Sequence, residues 1–149
     1  MRFARLLAGQ GVVSVVAEDR LRRTRQLLWL GIAVFVLGVA WDGIWHSRNP
    51  QALETGWRLL EAHGIMYAGM VVALGGGVFA FRGRRAPPVA SWYGLATGGA
   101  LAQLVGSGWD AWAHAGGSEA AVAHLVSRLG LLALLAGAIA ASVQARRSS

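Results

Sequence analysis

The chain has 149 residues, of which 55% are hydrophobic, 14% are charged and 21 are glycine. Soluble domains carry about 25% charge, so this composition disfavours a water-soluble globule, and its apolar richness excludes a disordered chain. There is no cysteine, which removes disulfides, thiolate metal sites and cysteine nucleophiles. The net charge of +7 is carried by arginine alone, with no lysine. A basic excess of this size can signal nucleic acid, but here the arginines bracket long apolar runs, as in multi-spanning membrane proteins. No nucleic-acid partner is therefore expected.

Residues 1–26 read as a cytoplasmic or interfacial arm. Met1 to Ala17 has the basic start and short apolar run of a signal peptide, and its cleavage is left open. However, Gly9, Gln10 and Gly11 interrupt the run, and Arg20, Arg22, Arg23 and Arg25 follow at once. An arm resting Phe3, Leu6 and Leu7 on the membrane surface accounts for this better.

A bilayer core needs about 20 apolar residues of helix, and four stretches supply them. The first runs from Leu27 to Ser47, broken only by Asp42, and the second from Ala62 to Phe81 without charge. Together they form a first hairpin, 27–81. A linker over 82–91 contains the turn Arg85-Ala86-Pro87-Pro88. The third stretch runs from Val89 to Trp109 and on to His114, and the fourth from Ala120 to Ala145 with Arg128 inside it. These make a second hairpin, 92–145, followed by a tail, 146–149. Open sheets cannot span lipid, and the alternation of a barrel strand is missing. The expected fold is an all-α integral membrane four-helix bundle.

Its orientation follows from the arginines. Eleven lie before the first span, in the linker or in the tail, against Arg48 and Arg58 on the other side. The positive-inside rule then places both termini in the cytoplasm of a multi-pass cell (inner) membrane protein, with Glu54, Glu61 and Glu119 outside.

The two hairpins also look alike. A shift of 68 residues carries Gly31, Gly38, Trp41, Asp42 and His46 onto Gly99, Gly106, Trp109, Asp110 and His114. A shift of 61 carries Ala62, His63, Gly69, Gly76 and Ala80 onto Ala123, His124, Gly130, Gly137 and Ala141. This is the pattern of a parallel repeat about a pseudo-two-fold axis along the membrane normal, with small residues letting the helices approach closely.

The repeat keeps Asp42, His46 and His63, then Asp110, His114 and His124, and these include every histidine of the chain. Asp and His four residues apart share one helix face, separated by about 6 Å of rise. His63 and His124 open the returning helices and enter at the same outer level. One carboxylate and two imidazoles form a sound ligand set for copper, zinc or iron, with positions left for water or substrate. A carboxylate within a span costs about 2.5–3.5 kcal/mol, and this chain accepts it twice.

Plainer readings stand beside this one. A lone intramembrane Asp can cap a helix or pair with Arg128, and a buried charge needs a partner. Arg128 lies one turn beyond His124 at the depth of the Asp residues, and the expectation favours an ion pair over contact with an anion. Its counterpart in the first hairpin is Tyr67. Trp41, Trp45, Trp109 and Trp112 flank the ligands and are expected to form the apolar shell that limits solvent access. Trp29, Trp57 and Trp92 are expected in an interfacial aromatic belt. Gly75-Gly76-Gly77 lies mid-span with no preceding strand and is no phosphate loop. No hydrolase triad can be assembled.

Asp42-Gly43-Ile44-Trp45-His46, with His63 opening the next helix, resembles the metal motif of the C subunit of copper membrane monooxygenases, the particulate methane and ammonia monooxygenases. The resemblance implies that Asp42, His46 and His63 are metal ligands, and that copper is the first metal to test. The second hairpin keeps Asp110, His114 and His124 but has Ala111 and Ala113 in place of the Gly and Trp. Sixteen residues separate the two histidines of the first set and nine those of the second.

Four functions remain open on this footing. The first is an oxidoreductase with a copper-type or dinuclear site, acting on a small apolar substrate entering from lipid. The second is a non-catalytic protein that binds or passes copper or zinc. The third is a small haem b cytochrome using histidine pairs. The fourth is an accessory subunit held together by its polar residues. Beyond the lipid bilayer, other membrane subunits or a second copy of the chain are the expected partners.

Overall fold

A computed structural model describes residues 2–51, 56–83, 89–115 and 121–147. Its regular elements are four helices: α1 (Arg2–Arg48), α2 (Trp57–Gly83), α3 (Val89–Ala115) and α4 (Ala121–Arg147). The chain is all-helical, and α1 packs along α2 and α3 along α4. The seam between α2 and α3 joins the pairs, while α1 and α4 scarcely touch. The turn at 85–88, Arg84, Glu54 and Glu119 lie outside the described residues.

Local chemistry sets the ends of the first hairpin. The Asn49 backbone N–H donates to Trp45 O at 2.9 Å, and its side-chain amide donates to the same carbonyl at 2.9 Å. Pro50 then disfavours helical backbone at Asn49, so α1 stops at Arg48. Gly56 takes a φ of +57° immediately before α2, a left-handed conformation that glycine reaches without steric cost.

The N-terminal arm differs from expectation. It is helical from Arg2 and enters the first span without a break, giving a helix of 47 residues. At 1.5 Å per residue that is about 70 Å, more than twice a hydrocarbon core of about 30 Å. The boundary expected at residue 26 is therefore not a break in the backbone.

Three helices are long and apolar enough to cross a membrane, over Leu21–Arg48, Trp57–Arg82 and Ala121–Arg147. Only 28–33% of their most apolar windows is buried inside the bundle. Leu30, Val36, Leu37, Phe79, Leu129 and Leu132 are all more than half exposed. Such a surface suits lipid and not water. The helix α3 has the length, 27 residues, and one charged side chain, Asp110. Its glycines, Gln103 and tryptophans keep its hydropathy below that of the other three helices' apolar stretches.

The core is built mostly of small residues. Leu28, Met70, Tyr93 and Leu134 are its largest fully buried side chains, set among Ala73, Ala80, Ala96, Ala100, Ala138 and Ala141. In lipid there is little hydrophobic drive for helices to associate, so close van der Waals packing has to hold them. A methyl group on Gly31 would overlap the backbones of Ala73 and Gly69, and one on Gly99 those of Leu134 and Gly130. Two turns nearer the Asp residues, Gly38 meets the backbone of Met66 and Gly106 that of Ser127. These contacts fall at the same offsets of 68 and 61 residues in both hairpins.

Gly31→Ala and Gly99→Ala should each destabilise the fold by about 1–3 kcal/mol, the usual cost of overpacking. Gly108→Ala meets nothing within 4 Å and should be neutral or stabilising by up to about 1 kcal/mol, from helix propensity. Thermal unfolding in detergent micelles checks both; equal melting of Gly31→Ala and Gly108→Ala would contradict the packing.

Candidate functional site

The glycine contacts set the register that assembles the polar residues. With α1 pressed on α2 at Gly38, the next turn of α1 carries Asp42 opposite His63, and His46 follows one turn later. His63 Nδ1 lies 2.9 Å and His46 Nε2 3.2 Å from the same oxygen, Asp42 Oδ1. The two rings are 5.8 Å apart, tilted by 42°. In the second hairpin, His114 Nδ1 and His124 Nε2 each lie 3.3 Å from Asp110 Oδ1, with rings 6.0 Å apart. The structure thus groups the six residues by hairpin, as the helical spacing predicts. In each group the three donor atoms lie within 4.8 Å of one another.

The quality of these contacts matters more than their length. Asp42 Oδ1 and Asp110 Oδ1 are buried, yet neither has a hydrogen-bond partner among the described residues. The imidazole nitrogens stand at ion-pair distance from them without hydrogen-bond alignment. His114 Nδ1 lies nearer the backbone oxygen of Asp110, at 2.9 Å. A buried unsatisfied acceptor costs about 1–3 kcal/mol, more if charged. Metal–nitrogen and metal–oxygen bonds of about 2.0–2.2 Å give ligand–ligand edges of about 2.9 Å in an octahedron and 3.3 Å in a tetrahedron. The observed 2.9–3.3 Å separations fall in that interval.

The two groups differ in exposure. The His46 and His63 side chains are 39% and 15% exposed, whereas their counterparts His114 and His124 are 49% and 48% exposed. Trp45 explains part of this. It is buried and sets its ring edge against His46 at 5.2 Å, while the smaller Ala113 stands at its counterpart position. Tyr67 adds its ring at 6.2 Å from His63.

Both groups border one cavity of about 390 Å³ between the hairpins, reached by Asp42, His63, Asp110, His114 and His124. Its walls are unlike. The first hairpin contributes Phe35, Val39, Met66 and Tyr67, and the second contributes Gln103, Ser107, Ser127 and Arg128, with Ala111 and Leu131 beside them. Gln103 Nε2 donates to Ser107 Oγ at 3.2 Å, and Ser107 Oγ lies 3.2 Å from Ser127 Oγ. The sequence reading passed over these residues. The available signal was positional, since Ser107 and Gln103 lie three and seven residues before Asp110, on its helix face.

Two expectations need correction. Arg128 forms no ion pair among the described residues; the Asp oxygens face imidazoles instead. Nor do the tryptophans form a common shell. Trp45 is buried, but Trp41, Trp109 and Trp112 are 38%, 44% and 75% exposed. Trp41 Nε1 donates to Glu61 O at 2.8 Å, tying α1 to α2 from outside. Each of the three sits one residue from its ligand or two, about 100–200° round the helix, and so faces outward. Trp29, Trp57 and Trp92 are exposed too.

The chain matches no protein-family model, no curated protein and no solved structure.

Because Arg128 has no carboxylate partner among the described residues, Arg128→Gln should change stability by no more than about 0.5 kcal/mol, as surface changes do. A buried ion pair would lose about 3–5 kcal/mol on the same change. Thermal unfolding of the purified variant decides between the two.

Proposed function

We propose that this chain is a multi-pass membrane metalloprotein with two Asp-His-His sites, one per hairpin, opening on a shared cavity. The observation that supports it most is the pair of buried Asp oxygens, each facing two imidazole nitrogens at metal-ligand spacing without hydrogen-bond alignment. Asp42, His46 and His63 would hold one ion, and Asp110, His114 and His124 the other. A bound divalent ion would supply Lewis acidity or redox chemistry at positions left open by three protein ligands. The residues themselves set the surroundings: Tyr67 and Trp45 shield the first site, and the polar side chains of α3 and α4 border the second.

Copper is the first metal to test, on the resemblance of the first motif to the copper membrane monooxygenases. Imidazole and carboxylate donors also suit zinc and iron. The haem b reading is weaker, because each Asp oxygen stands between the two imidazoles where a macrocycle would have to lie. Between catalysis and metal handling, the cavity supports an oxidoreductase, since a protein that only stores metal needs no substrate-sized space beside its sites.

In this reading the hairpins are a parallel repeat, α3 is a fourth span, and both termini are cytoplasmic in a cell (inner) membrane. The coincident burial patterns of α1 with α3 and of α2 with α4 support the repeat, and the arginine distribution supports the orientation. The native chain lacks cysteine, so single-cysteine labelling is clean. Ser118→Cys should react with an impermeant thiol reagent added to intact cells and Ser148→Cys should not; the reverse pattern would invert the topology.

Elemental analysis of purified protein should find two ions per chain. Asp42→Asn and Asp110→Asn should each lower this to about one while leaving the helices inserted, and the double variant should bind none. Full occupancy in the double variant would remove the carboxylates from the site, and a Soret band would replace the reading by haem.

A further inference from the structure

The unlike walls of the cavity point to a ligand with unlike ends. If the two hairpins enclosed only metal sites, matched walls would serve. Instead, wherever the first hairpin presents an apolar or aromatic side chain, the second presents a polar one at the corresponding position: Phe35 against Gln103, Val39 against Ser107, Met66 against Ser127, and Tyr67 against Arg128.

The polar wall is also incomplete. Gln103 is 6% exposed, and its Oε1 is buried without a hydrogen-bond partner among the described residues. Its amide nitrogen is committed to Ser107. Arg128 borders the same space with a guanidinium that no carboxylate among the described residues takes up, although Asp42 and Asp110 border it as well. A guanidinium offers five donors in a planar fork matched to a carboxylate. Small-molecule sites are mostly apolar, with a few polar groups that fix orientation, and a cavity of about 390 Å³ lies within their size range.

We propose that the cavity binds a small amphipathic anion of the short-chain carboxylate class. Its head is held by Arg128 beside Ser127, and its hydrocarbon body lies on Phe35, Val39 and Met66. The bound molecule, with an accompanying water, completes the polar wall at Gln103. Two features of the first hairpin exclude a second anion site there: Tyr67 replaces Arg128, and the wall below it is apolar. One anion per chain is expected, not two. The inference stands on the cavity walls and does not require metal at the Asp-His-His groups.

Calorimetric titration of the detergent-solubilised protein with hexanoate tests it, with 1-hexanol as the uncharged probe and chloride as the anion without a body. Metal content is measured on each sample. Hexanoate should bind saturably, one per chain, with 1-hexanol at least tenfold weaker. Arg128→Gln should weaken hexanoate at least tenfold, with unchanged metal content and melting temperature. Val39→Ser and Met66→Ser copy residues that the second hairpin already accommodates. They should weaken hexanoate several-fold while leaving chloride unaffected. Equal binding of 1-hexanol and hexanoate, unchanged affinity in Arg128→Gln, or no saturable binding to a folded protein would each overturn the proposal. Saturable, Arg128-dependent binding by a protein that takes up no metal would uphold it and overturn the metal reading instead.

Discussion

The whole arrangement depends on backbones meeting where side chains are missing. Gly31 against Ala73 and Gly69, and Gly99 against Leu134 and Gly130, bring paired helices closer than any side chain would allow. In water such a seam would be poor, since it buries little apolar area. In lipid, where the outer faces lose nothing by staying exposed to hydrocarbon, close packing is the main attraction available. It also fixes register. A helix that slid by one residue would set a Cβ into the facing backbone, so Asp42 and His63 are held opposite one another by glycines one to three turns away.

That constraint explains which parts of the molecule could be read in the sequence. The glycines and the Asp and His residues recur at fixed offsets, and helical spacing says which share a face. The composition of each polar group was therefore legible before any coordinates. The four helices were legible for the same reason, apart from the arm, where a cluster of arginines hid a helix continuous with the first span. Arg128 was legible as a position but not as an interaction, because helix pitch gives depth without giving distance across the bundle. Trp109 and Trp112 misled in a related way, since neighbours in sequence to a ligand stand a quarter-turn or more away from it around the helix.

The cavity walls were hidden for a different reason. The search for a repeat rewards positions that match, and the walls are made of positions that do not. Pairs such as Phe35 and Gln103, or Met66 and Ser127, carry no signal in a comparison that looks for matches. The fold turns them into a pattern by setting all of them on the walls of one cavity. Exchange of apolar for polar side chains on that surface, with the glycine seams kept in both hairpins, separates what holds the bundle together from what makes its two cavity walls different.

The energetics of the carboxylates carry the argument furthest. An Asp at the centre of a span adds about 2.5–3.5 kcal/mol to the cost of insertion; Asp42, in the last two turns of α1, bears part of it, and Asp110 would bear a similar part with α3 as the proposed fourth span. The imidazoles do little to recover it where they stand, since they approach the Asp oxygens without hydrogen-bond alignment. Asn in place of Asp would keep the shape at lower cost if the groups served only to tie helices together, and Ser142, which donates to Ala138 O and accepts from Trp29, shows that this chain ties α1 to α4 with neutral groups. A carboxylate kept twice, each time with one buried oxygen that no described residue hydrogen-bonds, suits a cation site, because the ion would supply that oxygen's missing partner. On that proposed reading, the cost of each Asp is a reservoir of affinity, released when the ion binds and absent from any neutral substitute.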